Sequence, residues 1–141
     1  MKKETLMSTA AAALRAAIHD TLVADGALTA LLGGPKVYDE PPTGAAFPYV
    51  TLGDARVENF ATASDAGEEH RLTLHAWSRQ GGHKEAHMIA GALLAALDDA
   101  PLAPDGCHLV NLRFATADIR RESDGRTYHA LVRFRAVTEP A

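Results

Sequence analysis

One stretch, Glu68–Asp99 (EEHRLTLHAWSRQGGHKEAHMIAGALLAALDD), constrains the fold more than any other, because its hydrophobic period changes in the middle. Leu72, Leu74 and Ala76 fall on one side of an extended segment, and Arg71, Thr73, His75 and Trp77 on the other, since successive strand residues face opposite ways. Arg79-Gln80-Gly81-Gly82 then reads as a turn, as paired glycines accept positive φ. Beyond it Ala86, Ile89, Ala90, Leu93 and Leu97 recur at steps of about three and four residues, a helical apolar stripe. Such a unit buries one face of a sheet beneath one helix. The remaining segments have to complete that sheet.

Ser8 or Thr9 caps a first predicted helix reaching about Ala24, with Ala11, Leu14, Ile18 and Leu22 on one side and Asp25-Gly26 as its stop. A short helix over Ala27–Leu32 ends at Gly33-Gly34-Pro35. Val37-Tyr38 is a short extended piece, and Asp39–Pro48, with two adjacent prolines, is a loop. Strands are expected over Tyr49 to about Arg56, His108 to about Arg120 and Tyr128–Val137, the last two joined by a Ser123-Asp124-Gly125 turn. Val57–Gly67 (VENFATASDAG) has no clear period and reads as a long hairpin connection or an extended arm. The order α-α-β-β-α-β-β with hairpin connections predicts an α+β two-layer sandwich. In it a mainly antiparallel four-stranded sheet carries its helices on one face.

The length of 141 residues fits one domain, 1–141, with residues 1–7 and 138–141 flexible. Hydrophobic residues make up 47%, enough for a folded core. No apolar run approaches the roughly 18 residues of a membrane span, and Arg15, His19 and Asp20 interrupt the alanine-rich start, so neither a span nor a signal peptide is expected. The lone Cys107 points to a reducing compartment. A net charge of −4 argues against general nucleic-acid binding.

The core face is assigned to even-numbered positions in all four strands. The odd face mixes arginines with one tryptophan: Arg71, His75, Trp77, Asn111, Arg113, His129, Leu131, Arg133 and Arg135. Plain solvation accounts for such a face. So does a subunit interface, where arginine and tryptophan are enriched and lysine is depleted. The acids Asp54, Glu58, Asp65, Glu68 and Glu69 flank the Val57–Gly67 segment. The interface reading therefore sets one copy's acidic arm against a neighbour's Arg71, Trp77, Arg113, Arg133 and Arg135. Head-to-tail contacts of this kind close into rings.

Catalytic patterns are absent. His83-Lys84-Glu85-Ala86-His87 has its acid one place too late for a zincin helix, and a third ligand from His75 or His70 is not specified. There is no Gly-x-Ser-x-Gly elbow and no phosphate loop. Asp98-Asp99 reads as a solvated helix end, and Cys107-His108 as packing. No enzyme activity, cofactor or metal is expected.

Several ordered motifs carry a resemblance. They are Pro48-Tyr49-Val50-Thr51-Leu52-Gly53; His70-Arg71-Leu72-Thr73-Leu74-His75-Ala76-Trp77-Ser78; Gly82 before a helix; Asp124-Gly125-Arg126-Thr127-Tyr128-His129; and Arg133-Phe134-Arg135. Together they resemble the tail-completion, or tail-terminator, family of long-tailed phages, prophages and gene transfer agents. The resemblance implies a structural virion protein that forms a six-membered ring capping the tail tube. Such a ring stops tube growth, offers a surface to the head-tail connector, and passes DNA through its lumen without specific binding. It also implies residence in a particle tail, and in the bacterial cytoplasm during assembly. Three other readings stay open: a head-tail connector stopper of the same particle, a small metal-binding domain using His75, His83 and His87, and a ligand-binding α+β module.

Overall fold

A computed structural model describes residues 2–141, with side chains from residue 10 onward. The elements are α1 (Lys2–Val23), α2 (Gly26–Leu32), β1 (Val37–Tyr38), β2 (Tyr49–Asn59), β3 (Glu68–Ser78), α3 (Lys84–Leu97), β4 (Cys107–Arg121) and β5 (Tyr128–Pro140). The class is the expected α+β sandwich, but the sheet has five strands rather than four, ordered β1-β2-β3-β5-β4. The extra strand is Val37-Tyr38, which pairs parallel to β2 through Val37↔Val50 and Tyr38↔Thr51. The remaining pairings are antiparallel. Two residues are too short a run to show a strand period, so the pairing is invisible before the fold is known.

Boundaries also differ, and β2 runs to Asn59, beyond the expected end near Arg56. Helical backbone begins at Lys2, ahead of the expected Ser8 or Thr9 cap. The expected flexibility of residues 1–7 falls on Met1 and on side chains outside the described residues. Asp25-Gly26 does not stop α1 through glycine; instead Asp25 caps α2, its carboxylate accepting the Leu28 N–H at 2.9 Å. At the far end, β5 continues to Pro140 and buries Thr138, within the segment expected to be flexible.

The helices share one side of the sheet. Leu14, Ile18 and Leu22 of α1, Leu28 and Leu32 of α2, and the stripe Ala86, Ile89, Ala90, Leu93 and Leu97 of α3 meet Val50, Leu74, Ala76, Leu112, Val132 and Phe134 in one core. The even-number rule fails where strands bulge. β2 shifts register between Leu52 and Ala55, and β4 shifts between Leu109 and Asn111 and again between Phe114 and Thr116. Each extra residue moves the following side chains to the other face. Leu109 and Ile119 therefore pack against the core together with Leu112 and Phe114, while Val110 is exposed.

Side chains hold the irregular places. At the β2 bulge the Arg15 guanidinium donates to the carbonyls of Leu52 at 2.8 Å and Gly53 at 2.9 Å, and pairs with Asp39. This ties α1 to the sheet and satisfies carbonyls that the interrupted ladder leaves over. Asp98, expected as a solvated helix end, accepts the Phe114 N–H at 2.9 Å and the Arg113 Nε–H at 3.3 Å beside the second β4 bulge. The Phe114 N–H holds its carboxyl below the usual range, with Arg113 adding to the effect.

His70 is fully buried; its Nε2 meets Thr138 Oγ1 at 2.9 Å, and its Nδ1 has no partner among the described residues. Burial pushes its pKa below 6.5. In acid the unfolded chain then binds a proton that the folded chain refuses, so stability falls as pH drops below 6.5. Replacing His70 with Leu is expected to shrink the stability lost between neutral pH and about pH 5. Chemical denaturation at both pH values checks this, and an unchanged difference would place the acid sensitivity elsewhere.

Candidate subunit-contact face

The sheet face away from the helices is organised in cross-strand rows. One row is all arginine: Arg56 pairs with Arg71, Arg71 with Arg135, and Arg135 with Arg113, running across β2, β3, β5 and β4. Like charges set directly opposite repel, so such a row persists only beside compensating acids. The adjacent row supplies them. Glu69 bonds Arg135 and lies 3.1 Å from Arg71, while Glu58 lies 3.3 Å from Arg56. Asp98 takes Arg113 from outside the sheet. The bond from Arg135 holds the Glu69 carboxyl below the usual range, against the opposing effect of burial, and Arg71 assists.

These contacts place the residues singled out in the sequence. Arg71, Trp77, Arg113, Arg133 and Arg135 share the face. Arg133 donates to Asp118 at 2.8 Å. Thus each of the four arginines already has an acidic partner in its own chain. The expected acidic set is divided. Glu58 and Glu69 lie on the arginine face, and Asp54 sits at the β2 bulge. Asp65 is in the turn of the β2–β3 hairpin, where Thr62 N–H donates to its carbonyl at 2.7 Å. Glu68 belongs to the opposite face, near Cys107, whose thiol pKa is raised by burial first and by the Glu68 charge in addition. Val57–Gly67 is thus the end of one hairpin, paired as far as Asn59↔Glu68, with Phe60 exposed beneath the Arg135 guanidinium at 5.3 Å.

The other end of the face is aromatic and much drier. Trp77 stacks on His129 with ring centres 3.8 Å apart and donates its indole N–H to Thr51 Oγ1 at 3.1 Å. His129 is only 4% exposed, although no helix covers it. Its Nδ1 lies 2.7 Å from Glu122 Oε1, and its Nε2 lies 2.7 Å from His75 Nδ1. Nearby, Asp124 caps its turn by accepting the Thr127 hydroxyl and the backbone N–H groups of Thr127 and Arg126. Those bonds, the Thr127 hydroxyl first, lower its pKa to about 2. Arg79 bonds Thr127 and lies over the Phe47 ring at 4.2 Å.

The structure does not gather His75, His83 and His87. His75 joins His129 on the open face, whereas His83 stands just ahead of α3 without a capping side-chain bond and meets Tyr128 edge-on. Among the described residues no cluster of three His, Cys, Asp or Glu side chains forms a metal cage. Sequence reasoning missed Glu122, Asp98 and Arg15. Glu122 stood in a turn next to a predicted strand, and only the register Arg120↔His129 brings it to the imidazole. The arrangement suits surface-to-surface contact: a charged stripe neutral enough to be covered, beside an aromatic patch.

Comparison with known proteins points the same way. The family model described as tail completion protein gp17 matches residues 9–139. The tail completion protein gp17 of Bacillus phage SPP1 is 31% identical over 102 residues, covering 71% of this chain and 74% of that protein. Among solved structures, a chain from the virion of a native gene transfer agent particle superposes with a TM-score of 0.85 at 34% identity. That match covers 92% of this chain and 96% of the other.

Proposed function

This chain belongs to the tail completion protein gp17 family, a structural component of virions and not an enzyme, and we propose that it acts as the tail terminator of its particle. Copies close into a ring, six-membered by the family resemblance, seated on the finished tail tube. The ring blocks further tube subunits, presents a fresh surface to the head-tail connector, and leaves a lumen through which DNA passes. The observation that carries this reading is the likeness to a gene transfer agent virion chain over nearly the whole length of both molecules.

The sheet suits a ring wall. Its two edges are unlike: β4 is unpaired on its outer side, and β2 carries β1 only at Val50 and Thr51. Unlike edges favour head-to-tail contacts, which close when the rotation per copy divides the circle. The β2–β3 hairpin end, the Asp39–Pro48 loop and the chain end after Glu139 are the parts that meet the tube and the connector. The arginine face meets neighbouring copies and keeps its cations off DNA phosphates, which would otherwise hold the passing strand.

Particles assembled without this protein test the proposal. Tails of uncontrolled length, or tails that never join heads, are expected in electron micrographs. Normal-length tails joined to heads would sink it. A connector stopper is the second reading, favoured by the same fold and the same lack of catalytic groups. Purified protein that docks on isolated head connectors and ignores tube ends would favour it.

A further inference from the structure

We propose that Glu122, His129 and His75 form a binding site for a single proton within the open sheet face, and that a second proton breaks the site and opens the face. The site stands on geometry alone; its effect on assembly rests on the ring reading above.

Hydrogen placement follows from the contacts. A carboxylate only accepts, so the 2.7 Å contact with Glu122 puts a hydrogen on His129 Nδ1. Neutral His129 then presents a lone pair at Nε2, and His75 Nδ1 donates to it across 2.7 Å. Of the four ring nitrogens, only His75 Nε2 is left without a hydrogen-bond partner among the described residues. It lies over Gly53, so close that a Cβ there would sit 2.4 Å from it.

A first proton enters at His75 Nε2. The hydrogen shared between the rings can then pass from His75 Nδ1 to His129 Nε2. This leaves His75 neutral as its other tautomer and His129 as an imidazolium against the Glu122 carboxylate. One proton has been gained and no hydrogen bond lost. A second proton would put hydrogens on both nitrogens of the 2.7 Å contact, so the rings must part. Because Trp77 is stacked on His129, its indole loses its seat as they do.

Each flanking element but β3 contributes charge, the loop before β2 included, where Asp39 and Glu40 line the cleft beside His75 and Trp77. Asp54 of β2 favours protonation of His75, and Arg133 of β5 and Arg120 of β4 oppose it. Asp118 of β4 is engaged by Arg133, and Arg120 lies 3.5 Å from Glu122. Trp77 and Thr73 of β3 are uncharged. Burial, the largest influence on both rings, places their titration below the ordinary 6.5. Two rings so coupled titrate in separate steps that belong to the pair.

Trp77 is the only tryptophan, so its fluorescence reports the site directly. Titration of the purified protein from about pH 8 to pH 4 is expected to show two steps on the acid side of the ordinary histidine value. The first is quenching by the imidazolium, and the second is a red shift as the stack opens. His129→Gln should lose the quenching step entirely, and His75→Asn should keep one step and lose the second. If either variant does not fold, imidazole nitrogen shifts of the wild-type protein decide. The pair should take up one proton first, with His129 becoming the imidazolium and neutral His75 moving its hydrogen from Nδ1 to Nε2, before a second proton is bound. A single cooperative two-proton step, or a His129→Gln profile identical to wild type, overturns the site. Native mass over the same pH range separates the two claims. Loss of the assembly with the second step supports the coupling, and an assembly indifferent to that step refutes it. A protein that stays monomeric at every pH refutes the ring reading and leaves the fluorescence result standing.

Discussion

Phe134→Ala is expected to lower the unfolding free energy by about 3–5 kcal/mol. Phe134 is the largest of the fully buried side chains and lies on β5, which has a paired strand on each side. In register it faces Leu72 of β3 and Phe114 of β4, and its ring meets Phe114 edge-on with centres 6.1 Å apart. Truncation removes the ring from the core and leaves a hole that neighbours tied into the ladder cannot close. For a domain whose whole stability is about 5–15 kcal/mol, that is a large share. Urea denaturation at unchanged slope measures it. Phe60→Ala is the control: that ring is half exposed, and its loss should cost less than about 1 kcal/mol. Equal costs for the two variants would mean that Phe134 does not occupy the core centre.

If copies close into the proposed ring, the double change Arg133→Gln with Arg135→Gln is expected to abolish it, weakening association on the order of 100-fold, while the monomer stays folded. Both guanidinium groups are partly exposed and hold acids of their own chain, Asp118 and Glu69. Within the monomer, pairs at such exposure contribute little. Across a subunit contact the balance changes. On the proposed interface the arginines neutralise the stripe so that it can be covered; without them Asp118 faces a neighbour unpaired and Glu69 keeps only Arg71, in a chain already at −4. Sedimentation or native mass at wild-type assembly conditions reads the result, with circular dichroism confirming the fold. Raising salt should loosen the proposed wild-type ring by screening the same contacts. An unchanged oligomer mass in the double variant would remove these arginines from the interface.

Parts of this molecule were legible residue by residue. The α3 stripe from Ala86 to Leu97 is buried at each expected position, because an amphipathic helix writes its burial into its own spacing. The unit of β3, glycine turn and α3 likewise follows from local periods and turn chemistry. The candidate face was legible as a set of residue types, but not in its pairing. Nothing near Glu69 in sequence announces Arg135, which reaches it only through the antiparallel register of β3 and β5.

The amino-acid sequence by itself settled the class of fold, the side of β3 that turns inward and the poverty of catalytic groups. These depend on interactions between residues a few positions apart. Tertiary structure alone decided the fifth strand at Val37-Tyr38, the bulges that exchange the faces of β2 and β4, and the meeting of Glu122, His129 and His75. Each of those is a pairing between distant segments. Its free energy comes from hydrogen bonds and packing that do not exist until the sheet is assembled, so no local pattern encodes it.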